Sequence, residues 1–471
     1  MSAETQALYE QRRRRYLTAL RNGKPDRVPI RPFAAEFVAR YAGYTCQEVT
    51  HEPAKAFDAT CRAAADMGWD ATVPNMVYVW TGLTEAAGLK YYGAPGIGVD
   101  PNHGFQYLEP AEEDAWMRPD EYDALIADPT GYLYETWFPR VSKDVVAPGA
   151  PNTLRNNLAF VKGGMAMLQY FGSFGPAIQQ LQEEAGAVPA IAGILKAPLD
   201  ILGDKLRGYI GLTMDLLEQP EKVMAACEAL APHLCYTALT SADPDKQLPI
   251  GFWMHRGCTP FVTQEQFDQF YWPTLRPVIQ ELWKNGQQTL FYAEGDWDAH
   301  LEAFRDLPDQ SIVYHVDRGD IFKAHDVLGD KFCLSGGISN YLLAYGTPEE
   351  VRTQVREVIT GVAQDGGYLL DASAIMQNDA TVENVRAMTQ AGREFGDYNN
   401  PDYAMPARKV VDAGGVDWGK SGGRPAGVCV PWAERAQEIP QMLGDPDIVK
   451  RVWEEVDALG HTFIWQWLVS F

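Results

Sequence analysis

Long hydrophobic runs are the first thing this sequence lacks. No stretch approaches the roughly 20 uninterrupted apolar residues of a membrane span, so no membrane partner is expected. Basic charge is also short: 40 Lys and Arg stand against 63 Asp and Glu, a formal net charge of −23. Phosphate contacts need basic patches, which excludes nucleic acid as the main partner. The basic run Arg12–Arg15 reads as a solvated helix face. The seven cysteines (46, 61, 227, 235, 258, 333 and 429) form no CxxC pair. An odd, scattered set fits reduced thiols rather than a disulfide framework. The start, "MSAETQALYEQRRRRYLTALRNGK", has no apolar signal-peptide core, so a cytoplasmic location is expected. No glycine-rich phosphate loop follows an early strand, which weakens a nucleotide-binding reading.

What remains is ordinary globular material, 46% hydrophobic over 471 residues. Strand-like runs alternate with helical patterns. "TLFYAE" (289–294), "SIVYHV" (311–316), "FCLSGG" (332–337) and "YLLDA" (368–372) are each followed by a helix signal. The clearest is "TPEE", with Thr347 as N-cap, Pro348 in the first turn and Glu350 closing the box. Short connections between alternating elements predict a parallel sheet covered by helices. Adding "GFWMH" (251–255), "DATVPN" (70–75) and "RVPI" (27–30) gives about the strand number of a closed (β/α)8 TIM barrel, an α/β fold. A doubly wound open sheet is the alternative. The barrel is expected over residues 1–395. Residues 396–471, rich in Gly, Pro and Asp before an amphipathic helix (446–459) and an aromatic end, read as a C-terminal extension packed on it.

"LRNGKPDRVPIRPF", "MDLLEQPEKVMAACEAL", "LSGGISNYLLAYGTPEEVRTQVREVI" and "ATVENVRAM" together resemble the uroporphyrinogen decarboxylase-like superfamily. The resemblance covers about residues 15–390 and implies a (β/α)8 barrel. It also implies either porphyrinogen decarboxylation or zinc-dependent methyl transfer to corrinoid proteins. Decarboxylases of the family would carry an "RQAGRY"-like segment, whereas this chain reads "RPFAAEFVARYAGY", keeping Arg40, Tyr41 and Gly43 only. Thiol-methylating relatives carry His-x-Cys-Gly after the corresponding strand. Here that stretch is Tyr292-Ala293-Glu294-Gly295, and the late cysteine position falls near Ser373. The resemblance therefore implies the ether-cleaving methyltransferases, in which Glu and His replace thiolates.

Strand ends line the active site of such a barrel. Glu294 and His315 end neighbouring strands and are the expected zinc ligands, with His255 as the third ligand or as proton donor to the leaving oxygen. Cys258, Cys333, Asp371 and Ser373 are weaker ligand candidates; Arg256 and Asp317 are expected near the substrate. Each has a plainer reading: Glu294 as a helix cap, His315 as a hydrogen-bonded core histidine, Arg256 and Asp317 as surface ion pairs. Tyr78, Trp80, Met165, Met167, Tyr170 and Phe171 would suit an aromatic ring, although core packing is the commoner role for any one of them. "GGMAMLQYFGSFG" (163–175) is expected to be a loop shaped around the ligand, because of its four glycines.

The expected activity is that of the methyltransferase component of a corrinoid-dependent O-demethylase. A methyl group would pass from an aryl methyl ether to Co(I) of a separate corrinoid protein, with zinc as Lewis acid. The alternatives are a decarboxylase or lyase on the same barrel, and a non-catalytic module binding a corrinoid protein or an aromatic ligand. Cobalamin is expected on the partner. Asp298-Ala299-His300 begins a "DxHxxG" corrinoid pattern, but Ala303 occupies its glycine position.

Overall fold

The computed structural model describes residues 2–74, 81–90, 92–111, 114–410 and 423–470. Eight parallel strand segments form a ring: β1 (residues 27–34), β2 (Ala71–Thr72), β3 (residues 188–195), β4 (Ile250–Met254), β5 (Thr289–Ala293), β6 (Ile312–Val316), β7 (Cys333–Gly336) and β8 (Tyr368–Leu369). From Ile194–Leu195 of β3 to β8 they make one continuous sheet. The other end of β3, Val188–Pro189, pairs with β2. Asp70 N then donates to Ile30 O at 2.9 Å, and β1 meets β8 through Arg31 N to Leu370 O and Leu370 N to Pro29 O, both 2.9 Å. The ring is closed. It is a (β/α)8 barrel.

One strand escaped the sequence reading. β3 contains Pro189, and Gly193 sits at φ 82°, so its two ends pair with different neighbours. Such a broken strand has no long β-branched run to announce it.

Alternation sorts the side chains into two layers. Leu290, Tyr292, Val313, Cys333 and Leu369 fill the barrel interior, while Phe252, Met254, Phe291, Tyr314 and Leu334 pack outward among the helices. The helix Ala3–Leu20 closes one end by adding Tyr16, Leu17 and Leu20 to the interior cluster. Tyr16 Oη donates to Ala190 O at 2.7 Å. The basic run Arg12–Arg15 belongs to this plug, so the solvated-face reading is corrected for two of its members. Arg15 is buried against Asp70 at 2.6 Å, and Arg12 is buried and donates to Ala185 O at 2.6 Å.

The "TPEE" helix forms over Pro348–Val362 with the expected capping box and a buried stripe of Val351, Val355, Val358, Ile359 and Val362. Past residue 423 the last element is one 25-residue helix, Pro446–Ser470. Trp465 stacks on His233 with centroids 4.7 Å apart, and its Nε1 donates to Thr130 Oγ1 at 3.1 Å.

Candidate active site

Strand register sets the height of each side chain in the barrel. Trp253, Tyr292 and His315 are paired across β4, β5 and β6. Two residues further along, the same register places His255 beside Glu294, and Asp317 beside Glu294 on the other side. His315 is one layer lower, inside the barrel.

At the upper layer His255 sits between two carboxylates. Its Nδ1 lies 2.7 Å from Asp204 Oδ2 and its Nε2 lies 3.0 Å from Glu294 Oε2. Both ring nitrogens face acceptors, which requires the doubly protonated imidazolium. Burial and Lys196 oppose that charge, but Asp204 and Glu294 outweigh them and hold the His255 pKa up to about 9. Asp204 also accepts from Lys196 Nζ at 3.1 Å and from Arg256 Nε at 2.6 Å. Despite its burial, these cations hold its carboxyl well below the usual range.

The second carboxylate of this helix lies underneath. Asp200 and Asp204 are one turn apart, at the junction of the short helix Pro198–Ile201 and a π-turn at Leu202–Leu206. Asp200 accepts from Arg256 N at 2.7 Å and from Tyr271 Oη at 3.1 Å, fixing the backbone that carries His255. Burial raises its pKa. Lys205, next along the π-turn, has its amine above the rings of Tyr92 and Tyr107 at 5.3 and 5.8 Å. Burial and Lys196 bring its pKa down to about 7, against the pull of Asp204.

These groups line a cavity of about 350 Å³. Tyr92, Phe105, Tyr107 and Trp253 form its aromatic walls, Lys196, Lys205, His255, Arg256, Asp204 and Glu294 its polar part, and Val469 and Ser470 of the C-terminal helix its rim. Tyr92 and Tyr107 come from a small antiparallel pairing, Tyr92–Pro95 with Gln106–Tyr107. The cavity thus sets aromatic walls against a charged face that includes His255.

Of the residues expected at the site, His255, Glu294 and Arg256 meet at this cavity. Asp317 stands beside Glu294, accepting from Gly295 N at 2.8 Å, with its pKa raised by burial and by Glu294. His315 is elsewhere. Its ring lies parallel to Tyr292 at 4.1 Å, Nε2 donates to Ser373 O at 2.8 Å, and Nδ1 accepts from Ser335 Oγ at 2.8 Å. Burial and Arg31 push its pKa well below the usual value, so it is neutral and both nitrogens are used. Asp371 pairs with Arg31 at 3.2 Å in the same buried layer, its pKa raised by burial to about 7. Cys333 lines the interior core, and Cys258, its thiol pushed up to about 12 by burial, donates to His255 O.

Two expectations about the substrate pocket are corrected or fall outside it. "GGMAMLQYFGSFG" is mostly helix, Leu154–Gly172 followed by Phe174–Gln180, and not a loop. Met165 faces solvent, Met167 and Tyr170 are buried, and Phe171 packs on Tyr170 and Phe174; none lines the cavity. Tyr78 and Trp80 lie outside the described residues. The sequence reading missed Lys196, Asp200, Asp204 and Lys205. The signal was there: Lys196 follows the end of β3, and Asp200 and Asp204 share one face of the helix that opens at Pro198.

The donor set can be tested against zinc. The ligands expected were Glu294, His315 and His255, but His315 has no free nitrogen and lies a layer below. Among the described residues no group of three His, Cys, Asp or Glu side chains is arranged to hold a metal. The residues present do not fit a three-ligand zinc site.

The fold and site define a TIM-barrel protein with an acid–base centre at the strand ends. Among known proteins, a family model described as uroporphyrinogen decarboxylase (URO-D) matches residues 139–395. The chain belongs to the uroporphyrinogen decarboxylase family. Of solved structures, a methyltransferase from Methanosarcina mazei is similar in fold, with a TM-score of 0.54 and 16% identity over 81% of this chain and 98% of that one. No curated protein sequence matches. Among the described residues no helix is long and apolar enough to cross a membrane.

Proposed function

We propose that the protein is a methyltransferase that demethylates an aryl methyl ether, passing the methyl group to the cobalt of a corrinoid carried by a separate protein. The observation that carries this reading is the His255 imidazolium, clamped between Asp204 and Glu294 and opening into an aromatic-walled cavity. A likeness in fold to a methyltransferase supports it.

In this reading the corrinoid enters as second substrate. The C–O bond of the ether breaks, the methyl group goes to cobalt(I), and the electron pair stays on the phenolic oxygen. His255 gives that oxygen its proton. The pKa of about 9 suits the task, because phenols ionise near 10 and a general acid works best when matched to its leaving group. Glu294 and Asp204 orient the ring, Lys196 and Arg256 orient Asp204, and Tyr92, Phe105, Tyr107 and Trp253 hold the aromatic ring and exclude water.

A second reading, a decarboxylase or lyase, is favoured by one feature. Lys196, Lys205 and Arg256 bring cations to the cavity that could hold a carboxylate. Supplying reduced cobalamin with a panel of methoxyaromatics, with and without ring carboxylates, separates the two. Formation of methylcobalamin and one phenol per methyl group is expected. Release of carbon dioxide without methyl transfer would replace the proposal with the second reading.

A further inference from the structure

Methyl transfer gives no task to Lys205, a buried residue that lines the cavity. Its backbone is pinned from three sides in the π-turn Leu202–Leu206. Trp137 Nε1 donates to Lys205 O at 2.8 Å, Tyr107 Oη donates to Asp204 O, and Met117 N donates to Leu206 O at 2.8 Å. The side chain reaches the aromatic wall, where Nζ stands 3.3 Å from Tyr92 Oη and above the Tyr92 and Tyr107 rings. Lys196, a second cation of the same cavity, is held by Asp204 at 3.1 Å. A buried amine among aromatic rings, with another cation nearby, is the setting that strips a lysine of its proton and frees its lone pair. Burial and Lys196 outweigh Asp204 here, so a large share of the amine is neutral near its pKa of about 7.

We propose that Lys205 is a covalent carbonyl-binding site, which captures an aromatic aldehyde or ketone as an imine. The amine lone pair attacks the carbonyl carbon. The C–O bond then breaks, and both amine hydrogens leave with the oxygen as water. A C=N bond remains; nothing is oxidised or reduced, and no co-reactant is needed. A neutral imine suits this wall better than an ammonium, because it removes the cost of a buried charge. The ring of the captured compound lies among Tyr92, Phe105, Tyr107 and Trp253, in a cavity of about 350 Å³, the size of a small-molecule site.

Reductive trapping of the full chain tests this. The protein is mixed with 4-hydroxybenzaldehyde and sodium cyanoborohydride, and the labelled amines are mapped by peptide mass spectrometry. At about pH 7.5, Lys205 is expected to react about a hundredfold faster than the exposed lysines, which are almost wholly protonated there. The α-amino group, also partly neutral at that pH, falls in a separate peptide. Lys205→Arg keeps the charge and is expected to lose the fast site. Lys196→Gln removes the nearby cation and is expected to move the midpoint of Lys205 labelling to higher pH. In the wild type, labelling of Lys205 no faster than of exposed lysines would overturn the proposal and leave a cation held over aromatic rings. A midpoint that folded Lys196→Gln leaves in place would overturn it too. Neither cobalamin nor a methyl ether enters the assay, so its outcome is independent of methyl transfer.

Discussion

His255 is neither free imidazole nor an ordinary surface ion pair. Its protonated state is set by competition: desolvation and Lys196 favour neutrality, while two carboxylates at hydrogen-bond distance favour the charge and prevail. Removing one carboxylate should therefore move the balance. In Asp204→Asn the acid form is lost at lower pH, so the alkaline limb of the pH–rate profile, expected near 9 in the wild type, shifts to lower pH. Steady-state rates from pH 6 to 10 measure this directly. An unmoved limb would mean that His255 is not the titrating acid. His315 shows the other outcome of burial, a neutral ring with both nitrogens paired. Residue type alone made the two histidines equivalent in the sequence. What separates them is a two-residue difference in height, visible once Tyr292 is paired with His315 and Trp253.

At the scale of elements, the strands of the second half were legible because each is a short, nearly continuous apolar run followed by a turn or helix-start signal, as a parallel strand buried on both faces reads. The capped helix at Pro348–Val362 was legible for the same local reason. Failures occurred where a residue's local meaning was overridden by packing. The glycines of 163–175 suggested a loop, yet Gly163, Gly164 and Gly172 lie within the helix Leu154–Gly172, and Gly163 faces the rings of Phe463 and Trp467 from some 300 residues away. No local pattern announces such a partner. Other glycines do mark backbone need. Gly336 ends β7 at φ 90°, and a Cβ there would lie 2.3 Å from Val316 O and 3.1 Å from His315 Cε1. Gly336→Ala should cost about 2 kcal/mol or more, since strain and clash act together. Chemical denaturation gives the difference, and a loss below about 0.5 kcal/mol would show that this strand end relaxes freely.

For the molecule as a whole, the C-terminal helix links the outer helices to the cavity. His233 and His461, 3.0 Å apart, join it to the helix Pro220–Ser241 beneath the Trp465 ring. Burial holds His233 down to about 4, and burial together with His233 holds His461 down to about 3. Unfolded histidine takes up its proton near 6.5. The pair's contribution is thus full above that pH and is lost as pH falls from there toward the folded values. His461→Gln removes one of these groups. The drop in Tm between pH 7 and pH 5 should be smaller in this variant than in the wild type, as scanning calorimetry would register. Parallel curves would assign acid sensitivity to other groups.

The central claim, that His255 supplies the leaving group's proton, is tested most directly by varying the leaving group. Initial rates of methyl transfer to reduced cobalamin would be compared for methoxybenzenes and nitro-substituted methoxybenzenes, in the wild type and in His255→Gln. The account predicts a loss of about 10²–10³-fold for the unactivated ethers. It predicts little loss for the nitro-substituted ones, whose phenolates need no proton to depart. An equal loss across the series, or full activity of His255→Gln on the unactivated ethers, would contradict it.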